Sequence, residues 1–76
     1  MSKLKMEFYK DGVTFQWKWR NEKEYRAGKA FLEKLLGYPA MEAGDMDFFY
    51  FESQQQFDAL VEFQRELERT EDAGLN

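Results

Sequence analysis

Apolar and polar residues alternate along residues 4–20, and Asp11-Gly12 interrupts the alternation near its middle. Alternation with a period of two is typical of β-strands with one buried face, and Asp-Gly is a favoured dipeptide of two-residue hairpin turns. A two-residue loop keeps the apolar residues of both strands on one face, whereas a three-residue loop would move polar residues onto it. The predicted hairpin therefore pairs Leu4 with Trp19, Met6 with Trp17 and Phe8 with Phe15.

The next segment carries the signals of a helix. Asn21 is a favourable N-cap, and Glu24 lies three residues later, which completes a capping box. Apolar residues then recur at helical spacing as far as Gly37, a natural C-terminal stop. The pattern predicts a first helix over residues 22–36.

Gly28 lies inside this predicted helix, where a glycine costs about 1 kcal/mol relative to alanine. A close approach of the helix to the sheet would explain why the position lacks a side chain. Trp17 and Trp19 of the second strand are large enough to need that space, so we expect Gly28 to face them.

The second half of the chain predicts one more strand and one more helix. Residues 38–45 show no periodicity and predict a loop, and the aromatic run 47–51 predicts a third strand that is apolar on both faces. Ser53 and Gln56 form a second capping box before an apolar stripe that should fade near Thr70. We expect residues 1–70 to form a single domain and residues 71–76 to be a frayed tail.

The predicted order of elements is β-β-α-β-α, which is a small α+β fold. A helical crossover favours a parallel arrangement of the second and third strands. Placing the first strand between them gives a three-stranded antiparallel sheet in the order 2-1-3. Both helices are expected on one face of this sheet, the face that carries Phe15, Trp17 and Trp19.

The composition excludes several kinds of chemistry. The 76 residues include no cysteine and no histidine, which excludes disulfides, thiol nucleophiles, cysteine–histidine zinc sites and a Ser-His-Asp triad. Asp45-x-Asp47 supplies too few oxygen ligands for a divalent cation, and the chain has no glycine-rich phosphate loop. We therefore expect no enzymatic activity, no cofactor and no metal site.

The hydropathy of the chain bears on its location. No run approaches the roughly 20 apolar residues of a membrane span, and the first residues lack the apolar core of a signal peptide. We therefore expect a cytoplasmic protein that makes no membrane contact.

Acidic residues concentrate in the second half of the chain, where residues 42–76 carry ten acidic and two basic side chains. Three of the acidic residues recur at helical spacing, and like charges at that spacing repel one another. This pattern is typical either of a solvated helix face or of a surface for a basic partner. The candidate partner-binding residues are Glu42, Asp45, Asp47, Asp58, Glu62 and Glu66, with Tyr50 as an aromatic anchor.

Basic residues concentrate on the predicted sheet face that points away from the helices. Lys5 is expected opposite Lys18, and Lys3 opposite Arg20, although directly opposed like charges cost stability. Sheet faces that combine basic and aromatic residues bind single-stranded nucleic acid in RRM-type domains, although the RNP sequence of that family is absent here. The alternative site consists of Lys3, Lys5, Tyr9, Lys18 and Arg20, and its other explanation is edge lysines that discourage aggregation.

In its small size, acidity and lack of motifs, the chain resembles small phage-encoded inhibitors of host machinery, including anti-CRISPR and anti-restriction proteins. This resemblance implies a non-catalytic inhibitor that occludes a basic, nucleic-acid-handling surface of a host protein. The first alternative is a homo-oligomeric structural or adaptor subunit, with a homodimer as its simplest form. It would assemble through the open sheet face, because two rings of the third strand must point away from the helices.

Overall fold

The structure is a computed structural model, and it describes residues 4–74, apart from the side chains of residue 43 and of residues 71–74. Lys3 of the alternative sheet site and residues 75 and 76 of the predicted tail lie outside the described residues. The elements are β1 (Lys5–Lys10), β2 (Val13–Lys18), α1 (Glu22–Leu36), β3 (Met41–Ala43), β4 (Met46–Tyr50) and α2 (Gln54–Gly74). The fold is thus α+β, with a mixed four-stranded sheet in the order β2-β1-β4-β3. Helix α2 continues to Gly74, beyond the point near Thr70 where it was expected to fade.

The hairpin and its register are confirmed. Strands β1 and β2 pair antiparallel, with Met6 opposite Trp17 and Phe8 opposite Phe15. Asp11 and Gly12 both have positive φ, 53° and 81°, as the two central residues of a type I′ turn must. The pairing also extends beyond the strands, because the Trp19 N–H donates to the Leu4 carbonyl at 2.8 Å.

The prediction of three antiparallel strands was wrong in the number of strands and in the direction of the last one, whereas the predicted order is kept as β2-β1-β4. Residues of the predicted loop form β3, which pairs antiparallel with β4, and β4 pairs parallel with β1. The crossover through α1 therefore joins β2 to β3, and these two strands run in the same direction, as crossovers favour. The turn after β3 then reverses the chain, which is why β4 runs parallel to β1.

The core lies between the sheet and both helices, which pack on one face as predicted. Phe49 and Phe51 turn towards the helices, so Phe48 and Tyr50 point away from them. Phe57 of α2 packs against rings of the first hairpin, and Phe31 of α1 stacks on Phe63 of α2 with their ring centroids 4.2 Å apart. The buried hydrophobic residues are Met6, Phe8, Trp19, Tyr25, Leu32, Phe49, Phe51 and Leu60.

The close approach at Gly28 is confirmed, and Trp19 causes it. A Cβ atom on Gly28 would lie 2.2 Å from Trp19 Cζ2, far inside the contact distance of two carbon atoms. The Trp19 side chain is fully buried, and its Nε1 donates to Met6 Sδ at 3.3 Å. Trp17 is only half-buried and packs against Phe57 instead.

Both predicted helix N-caps form. Asn21 Oδ1 accepts from the Glu24 N–H at 2.9 Å, and Ser53 Oγ accepts from the Gln56 N–H at 3.3 Å. Each third-position side chain then reaches back to the backbone N–H of the residue before the cap. Glu24 Oε1 accepts from the Arg20 N–H at 3.2 Å, and Gln56 Oε1 accepts from the Glu52 N–H at 2.8 Å. These contacts fix where α1 leaves the hairpin and where α2 leaves β4.

Candidate functional site

The acidic residues of α2 face the solvent along one side of the helix. Asp58, Glu62 and Glu66 are all exposed. Arginines three residues further on pair with two of them: Arg65 Nη1 lies 3.7 Å from a Glu62 carboxylate oxygen, and Arg69 Nη1 lies 3.0 Å from one of Glu66. Exposed pairs of this kind contribute little stability, so they reduce the repulsion along the helix without holding the carboxylates away from a partner.

The acidic residues around β3 and β4 divide into exposed and buried ones. Glu42 and Asp45 are exposed, but Asp47 is only 4% exposed. The Tyr25 hydroxyl donates to Asp47 Oδ2, and Lys29 Nζ lies 3.5 Å from the same oxygen. The expectation that Asp47 contacts a partner was therefore wrong, because its carboxylate faces α1 and binds there.

The buried Tyr25 hydroxyl has an unusual titration. Burial raises the pKa of Tyr25 well above its usual range, and the hydrogen bond to Asp47 and the negative charge of Asp47 raise it further. Removing the proton would leave two negative groups side by side in the core. The pair thus joins α1 to β4 through a protonated phenol and a carboxylate.

The exposed acidic residues do not form one continuous surface. Helix α2 packs over the β2 side of the sheet, through Phe57 against Phe15. Glu42 and Asp45 belong to β3 and to the turn that follows it, at the other edge of the sheet. Helix α1 contacts the sheet between them, through Tyr25 and Asp47. The sequence-based expectation of one acidic docking surface thus becomes two separate acidic groups.

The sheet face that points away from the helices is called the outer face below. Tyr50 and Met41 on this face are each 44% exposed. Tyr9 and Tyr50 stack with their ring centroids 4.9 Å apart and their planes 17° apart. The strand registers place Phe48 beside Met41, and Met46 lies on the same face. These residues, Tyr9, Met41, Met46, Phe48 and Tyr50, are called the apolar strip.

Among the described residues, the basic part of the outer face lacks Arg20, which was predicted to belong to it. Lys5 lies opposite Lys18 as expected, and no carboxylate among the described side chains forms an ion pair with either lysine. Arg20 binds elsewhere, because its Nε and Nη2 donate to Glu24 Oε2 at 3.0 and 2.6 Å. Of the alternative nucleic-acid site, the described outer face thus retains two basic residues and Tyr9.

Tyr38 makes a contact that the sequence did not reveal. Its hydroxyl accepts from the Tyr50 N–H at 2.6 Å and donates to the Tyr50 carbonyl at 2.8 Å. In the register of β3 with β4, the residue opposite Tyr50 would be Pro39, which has no N–H to donate. The phenol therefore takes the place of a strand at the end of β4. A tyrosine directly before a proline was the only signal of this contact in the sequence.

Residues 4–74 contain neither a cluster that could hold a metal ion nor a helix that could cross a membrane. Among residues 4–74, no group of three or more His, Cys, Asp or Glu side chains is arranged to hold a metal ion. Neither helix of that part is long and apolar enough to cross a membrane. A surface pocket of about 450 Å³ opens beside Phe31, Lys34 and Leu35 of α1.

No family model, curated protein or solved structure matches this chain.

Proposed function

We propose that this chain is a non-catalytic protein-binding module whose acidic α2 side contacts a basic surface of its partner. The observation that supports the proposal is the exposed row of Asp58, Glu62 and Glu66. At a rise of 1.5 Å per residue, these carboxylates are about 6 Å apart along the helix axis and span about 12 Å. A row of this length complements a groove lined with lysines or arginines.

A basic groove that normally holds nucleic acid is the kind of surface that such a row would occupy. Nucleic-acid sites attract phosphates through clustered lysines and arginines, and carboxylates compete for the same cations. Binding there would occlude the groove without any chemical step. The proposed role is therefore that of a small inhibitor, of the anti-CRISPR or anti-restriction kind, acting on a nucleic-acid-handling protein.

Charge reversal at the three α2 positions tests this proposal. A partner captured with the tagged chain would be purified and titrated against the wild type and against the triple variant Asp58→Lys, Glu62→Lys and Glu66→Lys. We expect the triple variant to bind at least about tenfold more weakly, and wild-type binding to weaken as salt rises. Because all three positions are exposed, we expect the variant to keep its fold. Circular dichroism would check this.

The second acidic group supplies the matched control. The variant Glu42→Lys/Asp45→Lys reverses exposed charges at the other edge of the sheet. If α2 makes the contact, this variant should bind almost as tightly as the wild type. Undiminished binding by the α2 variant would contradict the proposal, and equal losses from both variants would show a response to net charge alone.

The outer face favours a second candidate, a subunit that assembles with copies of itself. Its supporting observation is the apolar strip, which the helices leave uncovered. Exposed aromatic and methionine side chains that form a continuous patch are typical of protein contact surfaces.

A further inference from the structure

We propose that two copies of this chain pack through their outer faces around a two-fold axis that runs parallel to β4. The contact uses the apolar strip together with Lys5 and Asp45. It rests on the self-assembling subunit given above as the second candidate and specifies its contact. It lies on the opposite side of the sheet from α2, away from the proposed basic partner.

The strand registers arrange the outer face in rows that run across the strands. In every row the β2 and β1 positions are mostly polar, and the β4 and β3 positions are apolar. The first row contains Thr14, Tyr9 and Tyr50; the second contains Gln16, Glu7, Phe48 and Met41; the third contains Lys18, Lys5 and Met46. The face is therefore apolar along β4 and β3 and polar along β2.

The position of the apolar strip selects the axis. Stacked sheets lie about 10 Å apart with their strands within about 30° of each other. A two-fold axis parallel to β4, midway between two such sheets, places β4 over β4 of the second copy and β1 over its β3. Phe48 and Tyr50 then pack against their own copies. This axis sets Glu7 over Met41 of the second copy at the margin of the contact. Moving the axis to a position between β1 and β4 would set Phe48 over Glu7 and Met41 over Gln16, which removes the pairing of apolar side chains with one another.

Charge complementarity supports the same axis. The rotation that stacks β4 on itself carries the turn between β3 and β4 over the end of β1 where Lys5 lies. Asp45 of the second copy then faces Lys5, and the symmetry repeats the contact. An axis across the strands would also stack the apolar strip on itself, but it would set Glu7 against Glu7 of the second copy and leave the lysines without a carboxylate.

These contacts would also relieve a cost within the monomer. Lys5 and Lys18 oppose each other directly, and neither pairs with a carboxylate among the described side chains. A carboxylate from the second copy beside Lys5 offsets that repulsion. The three strands that overlap, β1, β4 and β3, cover roughly 10 Å by 17 Å from strand spacing and rise. Because this is small for a specific interface, we expect a reversible dimer that forms as concentration rises.

Sedimentation velocity and light scattering over a concentration series test the dimer directly. The wild type should shift from monomer to dimer as concentration increases. Tyr50→Lys sets two lysines against each other, and Met41→Glu sets a carboxylate over Glu7 of the second copy. Both positions are already 44% exposed in the monomer, so both variants should fold and stay monomeric. Thr14→Lys is the matched control, because this axis leaves Thr14 outside the contact, and it should dimerise like the wild type.

A charge exchange tests the axis itself. Lys5→Asp and Asp45→Lys each create two symmetric like-charge contacts, and each should weaken dimerisation by roughly tenfold. The double variant restores opposite charges, and it should dimerise within about threefold of the wild type. A wild type that stays monomeric at every concentration overturns the proposal. So does a dimer that tolerates Tyr50→Lys and Met41→Glu, or a charge exchange that restores nothing.

Discussion

Gly28 lies where α1 rests on the ring of Trp19, so an alanine at this position probes the closest contact between a helix and the sheet side of the core. At an open helix site, alanine is favoured over glycine by about 1 kcal/mol. Here the added methyl group would lie 2.2, 2.5 and 2.8 Å from three carbons of the indole ring. Carbon atoms in contact are about 3.5–4.0 Å apart, so the ring or the helix must move by more than 1 Å.

The surroundings of Trp19 make that movement costly. Its side chain is fully buried, and its Nε1 donates to Met6 Sδ, so the ring has no open space to enter. Overpacking a core costs about 1–3 kcal/mol, and a rigid, enclosed ring places this site at the upper end. After the helix-propensity gain is subtracted, we expect Gly28→Ala to lower the free energy of unfolding by about 2 kcal/mol.

Urea unfolding followed by circular dichroism at 222 nm measures this change without relying on tryptophan fluorescence. With a urea slope near 1 kcal/mol per molar for a small domain, the midpoint should fall by about 2 M. Ala30→Gly is the matched control, since Ala30 is an exposed position of α1, and it should cost only the propensity difference of about 1 kcal/mol. In a Trp19→Leu background, Gly28→Ala should become neutral or stabilising. A higher midpoint for Gly28→Ala in the wild-type background would refute the reasoning.

Three further substitutions test other contacts. The raised pKa of Tyr25 means that the folded state holds this proton more tightly, so the resulting stability is complete below the ordinary tyrosine pKa of about 10 and is lost as pH rises above it. Tyr25→Phe should therefore flatten the alkaline fall of the urea midpoint, and an unchanged pH profile would contradict this. Tyr38→Phe removes both hydrogen bonds to Tyr50; it should cost about 1 kcal/mol, and NMR should show faster hydrogen exchange at the Tyr50 amide. Asn21→Ala removes the α1 cap and should lower the melting temperature through a loss of about 1 kcal/mol, whereas Asn21→Asp should retain most of it.

The elements that were predicted correctly are those whose own residues carry a recognisable pattern, such as alternation, a turn dipeptide or a helix cap. The first hairpin has strict alternation and a turn dipeptide, and these fix its register without information from the rest of the chain. The helices have caps, apolar stripes and, for α1, a stop at Gly37. Even the contact at Gly28 was predictable, because a glycine inside a strong helix implies a neighbour that needs its space.

Strand β3 had no such signal. It is three residues long and lies in a segment without periodicity, and its pairing with β4 supplies what the local sequence does not. The crossover rule was applied to β4, although the strand that follows α1 is β3. The predicted direction of β4 was therefore the reverse of the observed one. The error was thus topological, whereas the predicted strand 47–51 shares four residues with β4 (Met46–Tyr50).

The burial of Asp47 could not be predicted from the sequence, for a related reason. Strand β4 is apolar on both faces, so its sequence does not show which residues point towards the helices. Asp47 shares the inner face with Phe49, and its partners Tyr25 and Lys29 lie on α1, distant in sequence. Asp47 therefore belongs to the core, although Glu42 and Asp45, which lie near it in the sequence, are exposed.

The Tyr38 hydroxyl gives the two edges of the sheet unequal capacity for strand addition. On the β4 side the sheet ends in a three-residue strand, and beyond it the phenol occupies the backbone groups of Tyr50. On the other side β2 is six residues long, with Thr14, Gln16 and Lys18 exposed. Growth into a filament by edge pairing requires two open edges on each molecule. Because β3 offers only three residues for pairing, we expect edge pairing to join two β2 strands and to end at two molecules.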